Sequence, residues 1–150
     1  MNAEDLKYPI GKFLKPTTFT KNILNGYIEQ ISSFPTRLRL EVDGLSEKQL
    51  YTPYRPDGWT IRQVINHCSD SHMNGFIRLK LALTEESPII RPYLEDRWAE
   101  LPDSKQFSVA PAIKILEGIH NRWATLLSSL TADQWQRKLI HPNGDRKMTI

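Results

Sequence analysis

The sequence predicts an all-α protein, a bundle of helices in one domain, on three observations. Three long stretches carry apolar residues at three- and four-residue spacing, the mark of one helical face. Each begins or ends on capping or chain-breaking residues that fix its limits. The only hairpin signal is confined to the C-terminal segment, too little strand for a sheet-based core. At 150 residues with 39% hydrophobic content, the chain can bury one core and is too short to expect two.

The elements follow in order. After an arm containing "YPIGKF", the segment 20–42 places Ile23, Leu24, Tyr27, Ile31, Phe34 and Leu38 on one side of a first helix. Pro35 lies inside it, and a ring without an N–H predicts either a kink or a separate last piece. "LSEKQL" offers Ser46 and Gln49 as a capping box for a short helical turn. "YRPDGW" is a turn cluster leading into Thr60, an N-cap for a second helix spanning about 61–83, with Pro88 and Pro92 forbidding continuation. The segment 84–108 is proline-rich and aperiodic, far longer than the roughly two to eight residues that join bundle helices. It predicts a lid or a packed wrapping loop. A third helix, 110–130, carries Ile113, Leu116, Trp123, Leu127 and Leu130, and Thr131 with Gln134 starts another short turn. In "RKLIHPNGDRKMTI", Asn143-Gly144 predicts the turn of a small hairpin. Three helices alone leave one side of a bundle open.

Composition removes several classes of function. A single cysteine, Cys68, excludes an internal disulfide and two-thiol redox chemistry. The 20 basic and 17 acidic residues give a net charge of +3 and are interspersed, so no nucleic-acid partner is expected. No apolar run approaches the roughly 20 residues of a membrane span, and "MNAEDLKYPI" is acidic where a secretory signal would be basic. A cytoplasmic protein with no membrane partner is expected.

The chemistry concentrates on the second helix, in "GWTIRQVINHCSDSH". With His67 as zero, Ser71, Asn74 and Arg78 fall within about 40°, while the apolar residues centre roughly 130° away. That polar stripe, flanked by Asp70, is a candidate acid/base or metal site, although spacing alone favours a solvated face. His72 lies with the apolar residues and reads as a hydrogen-bonded core histidine; about 140° from His67, it cannot easily share a metal with it. Cys68 reads as buried core. His120 reads as a packed histidine at the edge of the apolar face, His141 as a loop residue, and the four tryptophans as packing anchors. Glu95, Asp96, Glu100 and Asp103 could face a metal site from the long loop, though such loops are usually solvated. No nucleophile elbow, phosphate loop, dinucleotide fingerprint or HExxH helix is present.

At "YPIGKF", "RPDGWTIRQVINHCSDSHMNGFIRLKLAL", "RPYLEDRWAEL", "LEGIHNRWATLLSSL" and "HPNGD" the sequence resembles the YfiT-like metal-dependent hydrolases of the DinB-like superfamily, through nearly the whole chain. The resemblance implies an up-and-down four-helix bundle, homodimeric and cytoplasmic. It implies a divalent metal, nickel or zinc, held by one histidine of the second helix and an HxxxH pair of the last. The second-helix ligand matches His67, with Asp70 a candidate acceptor that orients an imidazole. Related proteins include thiol S-transferases, so a small-molecule substrate is implied, with a low-molecular-weight thiol as one alternative. The HxxxH pair does not follow "HPNGDRKMTI" in these 150 residues. The expectation is therefore a fourth helix missing from this chain, as a fragment or a truncated paralogue, with one third of the site and little retained metal. The rival reading is a metal-free dimerisation or binding module.

Overall fold

The computed structural model describes residues 5–142 and 146–149. A single 3-10 turn, Asp5–Lys7, precedes α1 (Lys21–Val42), α2 (Glu47–Leu50), α3 (Ile61–Thr84), α4 (Glu95–Ala99), α5 (Pro102–Lys105), α6 (Ala110–Ser128) and α7 (Ala132–Trp135). The antiparallel pair β1 (Lys138–His141) and β2 (Arg146–Thr149) follows, with Lys138 opposite Thr149 and His141 opposite Arg146. The three long helices and the hairpin match the expected elements. Two expectations need correction: the 84–108 connection contains the helices α4 and α5, and His141 stands on β1 rather than in a loop. The Asn143-Gly144 turn lies outside the described residues.

Helix limits are set by the residues the sequence offers. Thr20 accepts the amide of Ile23 at the start of α1, while Ser46 with Gln49, Thr60 with Gln63 and Thr131 with Gln134 form complete capping boxes. Gly44, at φ 78°, takes the left-handed position just beyond α1 that other residues resist. Pro35 sits buried inside α1, which runs as one element from Lys21 to Val42.

α6 packs against both α1 and α3, so it is the middle of the bundle. Its centre is Leu116, with no exposed surface, and one end of the core joins Leu50, Ile65, Ala112 and Ile113. Gly75 on α3 lets Trp123 of α6 approach so closely that a Cβ there would lie 2.8 Å from the indole. At the far end, Ile90 and Leu139 cover Ala82, because β1 hydrogen-bonds to the connection through Ile90 N–H to Ile140 O (3.0 Å) and Ile140 N–H to Pro88 O (2.9 Å). Arg137 donates to the carbonyl of Ala82 at 2.8 Å and to that of Glu85, placing a cation on the C-terminal end of α3, where the helix dipole favours positive charge.

Two buried polar side chains bind the connection to α3. Arg62, 1% exposed, pairs with Glu47, donates to the carbonyl of Phe107 and lies over the Tyr51 ring. Gln63 donates to the carbonyl of Ala99 at 2.9 Å and to Glu100 at 3.2 Å. Of the two alternatives for 84–108, the wrapping segment is the one observed: it is fastened to the start of α3.

Candidate functional site

The turn before α3 builds one wall of the site. Tyr54 N–H donates to Trp59 O at 3.1 Å and Gly58 N–H to Arg55 O at 3.0 Å; Asp57 takes φ 57°. A Cβ on Gly58 would meet Arg55 Cγ at 2.7 Å, so the turn needs glycine there. The result holds Trp59 over His67, with ring centroids 4.7 Å apart. α4, tied down through Gln63, brings Glu95 and Asp96 from the opposite side. Tyr54, Arg55, Asp57, Trp59, His67, Glu95 and Asp96 together line a cleft of about 320 Å³.

His67 is half-buried. Burial lowers its pKa below the usual histidine value, while the carboxylates of Glu95 and Asp96 oppose that shift. The imidazole is consequently neutral at pH 7 and presents a lone pair beside carboxylates.

The polar stripe is covered, which corrects its reading as a solvated face. Tyr93 hydrogen-bonds to Ser71, Arg78 donates to Arg91 O at 3.3 Å, and Glu95 and Asp96 sit at His67. Asn74 turns back onto the carbonyl of Asp70 at 2.9 Å. Of the four acidic residues in the connection, Glu95 and Asp96 reach the His67 cleft. Glu100 instead meets Gln63 and Lys105, and Asp103 lies near Asp70. Asp70 itself is half-buried, its pKa raised by burial and then by Asp103. Among the described residues no hydrogen bond joins its carboxylate to His67. Cys68 is half-buried, and burial pushes its thiol pKa up, away from nucleophilic use.

His72 and His120 fulfil the expectation of packed histidines. His120 is 2% exposed, inside the bundle rather than at the edge of an apolar face. Its Nδ1 lies 2.5 Å from Ile31 O and its Nε2 lies 2.7 Å from His72 Nδ1. Phe34 stacks on His120 and meets His72 edge-on, and Trp123 packs beside both. Trp59 and Trp123 are packing anchors as expected, whereas Trp98 is 39% exposed and pairs with Tyr93 on the connection. Among the described residues no three His, Cys, Asp or Glu side chains converge as a metal-holding group.

A family model of the DinB superfamily matches residues 30–150, and the chain is a member of that superfamily. A Bacillus cereus (strain ATCC 10987 / NRS 248) protein named "Putative metal-dependent hydrolase" is 46% identical over 147 residues, spanning 97% of this chain and 84% of the relative. A Bacillus mycoides (strain KBAB4) protein with the same description is 46% identical over 146 residues, at 97% and 84% coverage. The fold is that of YfiT from Bacillus subtilis, described as a probable metal-dependent hydrolase with an unusual four-helix bundle topology. The TM-score is 0.93 at 42% identity, over 97% of this chain and 83% of YfiT. Among the described residues no helix is long and apolar enough to cross a membrane.

Proposed function

We propose that the chain is a metal-dependent hydrolase of small molecules, with the His67 cleft as its reaction centre and His67 as one donor to a divalent ion, nickel or zinc. The observation that carries this reading is the cleft itself. A neutral imidazole and the carboxylates of Asp57, Glu95 and Asp96 line one cavity, in a chain whose relatives are named for metal-dependent hydrolysis. The chemistry of these donors fits a divalent ion. Their spacing does not complete a site, since stable sites take three or four converging protein ligands and no three converge among the described residues.

Each residue then has a part. Burial keeps a proton off His67, so its lone pair is available near neutral pH. Glu95 and Asp96 supply the negative potential that draws a cation. Trp59 covers the imidazole and keeps water from part of it. A bound divalent ion supplies Lewis-acid chemistry, making a water or thiol acidic near neutral pH. The size of the cleft limits the substrate to a small molecule. The family likeness extends this reading to a cytoplasmic homodimer, with a low-molecular-weight thiol as the alternative partner of the reaction.

Calorimetric titration with Zn²⁺ or Ni²⁺ tests the assignment. One weak site per chain is expected, with affinity lowered about tenfold or more in His67→Ala and the circular dichroism unchanged. Equal affinity in the variant would remove His67 from the site.

A further inference from the structure

The pair His72 and His120 has an order imposed from a third helix. Pro35 has no N–H, so the carbonyl four residues earlier in α1, that of Ile31, lacks its helical donor. His120 takes that place: its Nδ1 lies 2.5 Å from Ile31 O. A carbonyl oxygen can only accept, so the proton stands on His120 Nδ1. In the neutral imidazole, Nε2 of His120 is then a bare lone pair. His72 Nδ1, 2.7 Å away, must donate to it. The proton of neutral His72 is thereby fixed on Nδ1, and its Nε2 is left as a lone pair. Burial favours the neutral form of both rings, with the mutual repulsion of the two adding to it at His72.

His72 Nε2 has no protein partner among the described residues. The one buried side-chain nitrogen or oxygen without a partner among them is Arg62 Nε, so His72 Nε2, on a half-buried ring, keeps some accessible surface. It stands five residues beyond His67 on α3, roughly 7.5 Å further along the helix axis. Phe34 and Trp123 flank the ring and limit its rotation. A lone pair held at one point, with its other nitrogen committed to a second acceptor, is how proteins orient an imidazole toward a ligand.

We propose that Pro35, Ile31 and His120 are positioning residues that lock His72 in the tautomer with a free Nε2, and that this nitrogen is a fixed hydrogen-bond acceptor for a small O–H ligand reaching it from solvent. Neither the tautomer nor the acceptor role rests on the proposed function above.

Two-bond proton–nitrogen correlation on ring-labelled histidines at pH 7 reads the tautomer directly. In the unaltered chain both His72 and His120 are expected as Nδ1–H forms. His120→Gln keeps an acceptor toward His72 and a donor toward Ile31, so His72 should remain Nδ1–H. His120→Leu removes the acceptor, and His72 should revert to the Nε2–H form that isolated histidine prefers. A structural role alone would alter the melting of both variants and the tautomer of neither. Phenol, a neutral O–H donor, should shift His72 Nε2 saturably and leave His120 in place. His72 found as Nε2–H in the unaltered chain would overturn the lock, and the absence of any phenol-induced shift would overturn the acceptor role. Either result is independent of whether Zn²⁺ binds at His67, so loss of the metal assignment leaves this one standing and the reverse also holds.

Discussion

Leu116→Ala is expected to destabilise the protein by about 2–5 kcal/mol, the range for deleting a fully buried leucine side chain. Leu116 has no exposed surface and sits on α6, the helix packed against both α1 and α3. The cavity left would face two other helices, which cannot both move in to close it. For a chain of this length each kcal/mol moves the melting temperature by roughly 2–4 °C, so a fall on the order of 10 °C is expected. Leu116 also stands four residues before His120 and shares its face of the helix. Thermal and denaturant unfolding measure the effect. A loss under about 1 kcal/mol would mean that the bundle is not centred on α6.

Acidification from pH 7 to pH 4 is expected to remove stability on the order of 1–2 kcal/mol through the buried histidines, after discounting for the partial exposure of His72. The pKa of His72 is lowered from 6.5 to about 4, by burial first and then by the nearness of His120 and His67. The pKa values of His120 and His67 are lowered too, with burial the main cause. Between pH 6.5 and about 4 the unfolded chain therefore binds more protons than the folded one. Stability rises with pH across that window and is lost as pH falls through it. Asp70 works in the opposite direction, because its raised pKa lets the folded state take up a proton first. Denaturant unfolding at steps through the window reads the slope. His72→Gln should flatten it, and an unchanged slope in that variant would place the acid sensitivity elsewhere.

Much of this architecture is visible in local chemistry. The capping boxes at Ser46, Thr60 and Thr131 stand at the starts of their helices because a cap is a contact between residues three apart and needs no knowledge of the fold. His67 is singled out by its place on a polar stripe and by likeness to a family. The helices inside 84–108 were less legible: α4 has five residues and α5 four, too short for a periodic signal. α4 is held by Gln63 through the carbonyl of Ala99, and the end of the connection by Arg62 through that of Phe107, and those are long-range bonds. The stripe looked solvated for the same reason, since what covers it comes from Tyr93, Arg91, Glu95 and Asp96 of the connection. Pro35 was visible as a disturbance of the first helix. That the carbonyl it frees is taken by His120, 89 residues away, depends on how α1 and α6 pack, and no spacing rule reports it.

The central claim is that His67 is a metal donor. Anomalous diffraction from crystals of the protein soaked in Zn²⁺ tests it most directly. The account predicts a single strong peak in the His67 cleft at about 2.0–2.1 Å from an imidazole nitrogen of His67, within the wall formed by Trp59, Glu95 and Asp96. A peak held by other side chains, with the His67 nitrogens unengaged, would contradict it.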